Sequence, residues 1–462
     1  LMVSVRNRGS SIADIAEKTM GMRAKSVFSI FLVLAMLLVI AVFGVVAAKT
    51  LIAQPQMVLP TFAIIPISIA LGWFIYYRNT DLAVSSIIAV AGVILSIYFG
   101  FQFPVELPEN GVIGLSPLMF WFVILLIYAS VASVLPVNIL LQPRDYLSTY
   151  ILFGSMALAV LALLWIHPEL HTPAYRGGFS EEQGPVWPML FVLVACGAVS
   201  GFHSLVAGGT TSKQLAVESQ GKPIAYGGML TEGMVAVVTV LLVSGGLYWV
   251  APASGGIDMN TLGFRETLQS GGWILAYGHG FGNLVHQMLP FLSFTFASMI
   301  AVLALNTFVL TTLDSAVRIT RFIVQESLGQ RIVLFKNKYI CTVLVVFFSY
   351  LIGSTDGWQK IWPIFGATNQ LIAAVALFVI ATWLMVMGKP TKFALYPAIF
   401  MIVTTIGALV WQSYRFYSQP EPNIFLGTAA VFLIILALFV GYEGMATLRG
   451  RKEKLMTAPV RL

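Results

Sequence analysis

Apolar residues in this chain come in long blocks instead of alternating with polar ones. Runs of about 20 residues, each enough for a helix to cross a bilayer, lie near 27–50, 57–77, 82–101, 117–139, 147–166, 186–207, 229–250, 287–313, 339–353, 361–387, 394–412 and 424–442. The period-2 alternation of a membrane barrel is absent. The pattern therefore predicts an all-α fold, a polytopic transmembrane helical bundle of about twelve spans. Seven spans fall within residues 1–250, an external loop rich in Gly, aromatic and acidic residues covers 251–286, five spans follow within 287–445, and a basic cytoplasmic tail closes the chain at 446–462.

Composition agrees: 58% of residues are hydrophobic and 10% are charged, which excludes a water-soluble globule. The net charge of +7 points to the membrane surface, not to nucleic acid, because of where the basic residues sit. With residue 1 on the cytoplasmic side, 21 of the 26 Lys and Arg fall in cytoplasmic segments, and only Lys49, Arg176, Arg265, Lys360 and Arg415 lie opposite. The positive-inside rule then puts both ends in the cytoplasm, and the RGRKEK tail becomes an anchor for anionic lipid. Cys196 and Cys341 both lie in apolar runs and read as buried small side chains, not a disulfide. No phosphate-cradling glycine loop, metal-spaced Cys/His cluster or nucleophile motif occurs, so the sequence implies no cofactor, no metal and no enzyme chemistry.

Polar residues inside the spans are costly and hence informative. The stretch GPVWPMLFVLVACGAVSGFHSLVAGGTTSKQ (184–214) is long enough to span, yet its second half holds Gly201, His203, Ser204, Gly208, Gly209, Thr210, Thr211 and Ser212. Gly197 and Gly201 would let another helix come close, and Gly208–Gly209 mark a place for the helix to unwind. Broken helices in membranes occur where protein or a water-filled cavity satisfies the backbone. The alternative is an intact helix ended by Gly-Gly. In LNTFVLTTLDSAVRITRF, Thr307, Thr311, Asp314, Arg318 and Arg321 recur at helical spacing and make one polar stripe. Arg318 stands one turn from Asp314 and would hold it ionised, while Thr311, Thr312 and Ser315 add hydroxyls that can coordinate a cation or relay a proton. Glu232 opens the seventh run with no basic neighbour on its own helix. In the tenth, WPIFGATNQLIAA, Asn369 and Gln370 offer amides that bind solute or join helices. Arg144 and Asp145, in LLQPRDYL, read as a turn that clamps or gates two spans.

These segments, with SVRNRGSSIADIA and YGGMLTEG, resemble the motifs of the carbon starvation protein A (CstA) family, in order and through essentially the whole chain. The resemblance implies an inner-membrane transporter for peptides, with a related branch moving pyruvate in symport with protons. It also implies further membrane helices ahead of the SVRNRG block, and by analogy an inverted five-helix repeat of the leucine-transporter type. A starvation sensor that binds solute without moving it is the rival reading. The site expected on these grounds joins Gly201, His203, Ser204, Thr210, Thr211, Asn369 and Gln370 around a small-molecule substrate. Asp314, Thr311, Thr312, Ser315 and Glu232 would serve a coupling ion, with protons and sodium both open, and Arg144, Asp145 and Arg318 would gate. Asn369 and Gln370 are expected to matter more for binding than for folding. Oligomeric state leaves no trace in the sequence.

Overall fold

The structure, a computed structural model, describes residues 1–175, 177–181, 183–250, 257–329, 332–354, 358–420 and 422–457. Of the basic residues counted above, Arg176, Arg331 and Arg461 lie outside that set, as does the start of the connection at 251–286. The helices in chain order are α1 (Met2–Arg6), α2 (Ile12–Met20), α3 (Met22–Ala53), α4 (Val58–Arg78), α5 (Leu82–Gln102), α6 (Pro117–Val134), α7 (Leu141–Ile166), α8 (Val186–Leu193) and α9 (Ala195–Ala198). They continue with α10 (Gly201–Gly209), α11 (Gly221–Gly246), α12 (Met259–Leu262), α13 (Phe264–Met288), α14 (Phe294–Leu328), α15 (Lys338–Gly353), α16 (Trp358–Val386), α17 (Lys392–Ser418) and α18 (Ile424–Thr457). Among the described residues, ten of these (α3 to α7, α11, α14 and α16 to α18) are long and apolar enough to cross a membrane.

Helix ends follow local rules. Asp81 accepts from the Val84 N–H to cap α5, Ser116 accepts from Met119 just ahead of Pro117 to start α6, and Asn337 accepts from Tyr339 to start α15. Asn79, in the left-handed region, closes α4.

Two of the twelve apolar runs depart from simple spans. The 339–353 run forms the 16-residue helix α15. The 186–207 run is broken: α8 ends at Leu193, α9 is a single turn, Val199 and Ser200 leave the helix, and α10 begins at Gly201. The glycine-rich connection after the seventh run is not all loop, because residues 264–288 form α13, which bends at Gly272 (φ 73°). Arg144 and Asp145 fold into the start of α7 instead of a turn between spans. Pro143 fits there because a proline in a first helical turn gives up no intrahelical hydrogen bond.

The chain packs as two units. One comprises residues 1–39, 176–233 and 318–462. Its hub is α16, against which α2, α8, α10, α17 and α18 all pack. The other comprises 40–175 and 234–317. There α4 lies along α5 and α7, and α13 along α7. Its core alternates bulky Phe281 and Leu284 with the fully buried Ala159, Ala162, Ala297 and Ala301. Lipid is as apolar as a leucine core, so small residues that let helices approach supply the attraction here through close packing.

Candidate functional site

Within the second unit, three helices converge on a charged cluster. Arg144, at the start of α7, reaches Asp314 on α14, with Nη1 2.6 Å from Oδ2. The arginine side chain is 2% exposed and the aspartate 0%. Tyr128 on α6 joins them: its hydroxyl accepts a hydrogen bond from Arg144 Nη1 and donates to Asp314 Oδ2 at 3.1 Å. The Tyr128 ring also lies against the guanidinium, 5.7 Å from centroid to Cζ. Asp145 Oδ1 stands 3.6 Å from Arg144 Nη2, and the Thr311 hydroxyl adjoins the Asp145 carboxyl from α14. Arg144 thus faces two carboxylates, with its Nε and Nη2 making no hydrogen bond among the described residues.

The structure brings together residues the sequence left apart. Arg144 and Asp145 were read as a clamp, and Asp314 and Thr311 as ion-coupling groups; here they form one cluster. Asp314 pairs with Arg144 across the helices, a partner the sequence did not name beside Arg318 one turn along. Thr312 and Ser315 are half-buried on α14, and Arg318 is buried. Tyr128 was missed, since a single tyrosine in the apolar run PLMFWFVILLIYASVASV reads as one more aromatic.

Within the first unit, the broken run is held by α16. A helix start leaves its first N–H groups without partners. At α10 the Phe202 N–H donates to Asn369 Oδ1 at 2.7 Å, and Ser200 Oγ accepts from the His203 N–H at 3.4 Å. The Asn369 amide nitrogen in turn donates to Cys196 Sγ at 3.0 Å and to Ser200 Oγ at 3.3 Å. Gly201 permits this approach: a Cβ there would stand 2.1 Å from the Asn369 carbonyl oxygen. At the other end, the Gly208 carbonyl accepts from Ser212 Oγ at 2.7 Å and from Ser4 Oγ at 3.1 Å. Helix α10 does stop at Gly209, with Thr210 and Thr211 half-buried beyond it.

His203 and Glu232, two separate candidates, meet here with Nε2 and Oε2 3.6 Å apart, their side chains 55% and 34% exposed. Ser204 turns its hydroxyl onto the Gly201 carbonyl at 2.5 Å. Gln370 takes a different direction from Asn369, accepting from Thr405 of α17 at 3.3 Å, as a one-residue step around a helix requires. Among the described residues no group of three or more His, Cys, Asp or Glu is placed to hold a metal ion, and both cysteines are free thiols.

With this geometry in place, comparison with known proteins gives the family. The carbon starvation protein CstA family matches residues 1–408. The chain is 29% identical to the peptide transporter CstA of Campylobacter jejuni, over 88% of this chain and 65% of the relative. It is 30% identical to the peptide transporter CstA of Mycobacterium tuberculosis, over 92% of this chain and 63% of the relative. Against the pyruvate/proton symporter BtsT of Escherichia coli K12 the identity is 28%, over 93% and 69%. The chain thus spans about two thirds of the length of the curated relatives it matches. Broken-run clasp, buried ion pair and motif order all fall within the matched region, and the chain belongs to the carbon starvation protein CstA family.

Proposed function

We propose that this chain is part of a secondary active transporter of the cytoplasmic membrane that imports peptides under carbon starvation, driven by an ion gradient. The observation that carries the reading is the Arg144–Asp314 pair, buried among apolar helices and bridged by Tyr128. A charge pair at such a place is expensive to keep and stabilises less than an apolar contact of equal size, which favours a working role. A proton or cation that competes with Arg144 for Asp314 would give the two states that alternating access requires. The guanidinium fills the position next to Asp314 Oδ2, so neutralisation by a proton is the simpler exchange, and we favour protons over sodium.

The broken run supplies the second half of the reading. Helix α10, with His203 and Glu232 at its exposed side, would form the substrate path together with Ser204, Thr210 and Thr211. Two relatives named as peptide transporters support a peptide cargo. The relative named as a pyruvate/proton symporter supports a small monocarboxylate as the second reading. The excess of basic residues on one side supports both ends facing the cytoplasm.

The test is uptake into proteoliposomes of labelled dipeptide and of labelled pyruvate, with and without an inward proton gradient, using the chain together with any segment that precedes it in the natural protein. Gradient-dependent accumulation of one of them is expected. Binding without accumulation of either would support the sensor reading and sink this one.

A further inference from the structure

We propose that the groove between α17 and α18 is a binding site for an anionic phospholipid, one acyl chain lying in the groove and the phosphate held by Lys389 and Arg449. The inference concerns the first unit only and stands apart from the transport reading.

The groove encloses about 460 Å³ and its walls are apolar along its length, with Phe378 of α16, Ile402 and Val403 of α17, and Leu438 and Tyr442 of α18. Its floor is low at Gly441, where the nearest atom a side chain would meet is Ile402 Cδ1 at 3.5 Å. Arg449 stands at one end, the only charged residue lining it among the described residues. A second hollow of about 540 Å³ shares Met445 and Arg449 with the first, so the two adjoin. It adds Lys389, Pro390 and Thr391 from the turn between α16 and α17. That turn is fixed by Gly388 at φ 66°, with the Lys389 N–H donating to the Leu384 carbonyl at 2.8 Å.

The combined shape is an apolar trough that ends in two cations and a hydroxyl. Among the described residues no carboxylate lines either hollow, and the charges that do line them are both positive. Apolar trough and cationic mouth match one molecule, a lipid with its chain along the helices and its phosphate at their polar ends. Basic clusters next to membrane helices attract anionic headgroups at about 1 kcal/mol per residue. A zwitterionic lipid brings the same phosphate but adds a cation that the two basic side chains repel, so it gains less at the mouth, and a helix of another protein would not need the two cations.

The experiment is native mass spectrometry of the purified full chain titrated with dioleoyl phosphatidylglycerol and, separately, dioleoyl phosphatidylcholine. Phosphatidylglycerol is expected to bind more tightly. Lys389→Gln and Arg449→Gln should each weaken it roughly fivefold, and phosphatidylcholine by less, so that the preference between the two lipids shrinks. Gly441→Leu fills the trough and should weaken both lipids; Ala437→Leu serves the same end if the first variant folds poorly. Equal affinity of the two lipids, or retention of phosphatidylglycerol by both trough-filling variants, overturns the proposal. So does a lipid-free dimer that Gly441→Leu dissociates, since a second copy would then be the occupant.

Discussion

Arg144 and Asp314, on helices far apart in the chain, lie 2.6 Å from one another and are closed off from solvent. Their energetics are asymmetric. Breaking a buried pair by removing one partner costs about 3–5 kcal/mol, whereas removing both charges together is often close to neutral. Arg144→Gln should therefore lower thermal stability sharply, and Arg144→Gln combined with Asp314→Asn should recover most of the loss. Melting of the detergent-solubilised protein checks this. A double variant no more stable than Arg144→Gln alone would mean that the two residues do not act as a pair.

Coupling gives a different prediction for the same aspartate. Asparagine keeps the shape of the side chain and can still accept from Arg144 Nη1, but it cannot take up and release a proton. Asp314→Asn should then fail to concentrate substrate against its gradient, while exchange at equal concentrations continues at a reduced rate. Both rates are read per amount of folded protein, so that instability is not mistaken for uncoupling. Normal accumulation by Asp314→Asn would leave the pair a purely structural one.

Tyr128 touches both charges through one oxygen. Tyr128→Phe keeps the ring against the guanidinium and deletes only the hydroxyl. The expected cost in stability is about 1.5–3 kcal/mol, that of a hydrogen bond to charged groups. If the hydroxyl tunes the exchange between Arg144 and a proton at Asp314, the pH at which uptake is half-maximal should also move. An unshifted pH profile with reduced stability would restrict Tyr128 to holding the cluster together.

How far the sequence revealed all this varies with the kind of information each feature needs. The apolar runs are a property of local composition, and the helices appear where the runs are. Asp314 stood out in a polar stripe at the end of a run and Arg144 in a turn between two runs, but nothing along the chain says that they meet. Arg318 was the visible partner only because a helix places it one turn away. The break inside the 186–207 run was not read at its actual place: the sequence pointed to unwinding at Gly208–Gly209, where α10 does stop, and to close approach at Gly201. The location of the break at 199–200 depends on Asn369, an acceptor from another helix that stands in for the missing helical carbonyl. Helix α13 was hidden for a related reason. Glycines that weaken an isolated helix allow a close crossing here: a Cβ on Gly280 would stand 2.6 Å from the Leu242 carbonyl oxygen, and one on Gly246 2.3 Å from the Gly280 carbonyl oxygen.

The clasp on the broken run can be tested through two glycines in neighbouring helices. At Gly201 a methyl group would collide with the Asn369 carbonyl oxygen at 2.1 Å and Ile372 Cβ at 2.5 Å. Neither can yield, because both belong to the rigid interior of α16. Gly201→Ala must therefore push α10 away and lengthen the 2.7 Å bond between the Phe202 N–H and Asn369 Oδ1. Overpacking of this kind costs about 1–3 kcal/mol, and an unpaired buried N–H adds a similar amount. At Gly227, inside α11, a methyl group meets nothing within 4 Å, so the higher helix propensity of alanine acts alone. Gly227→Ala should leave stability unchanged or raise it by up to about 1 kcal/mol. Asn369→Leu should behave like Gly201→Ala, since it removes the acceptor that the Phe202 N–H uses. Melting temperatures of the three variants decide the matter: if Gly201→Ala and Asn369→Leu melt with the parent protein, α10 does not depend on α16 for its start.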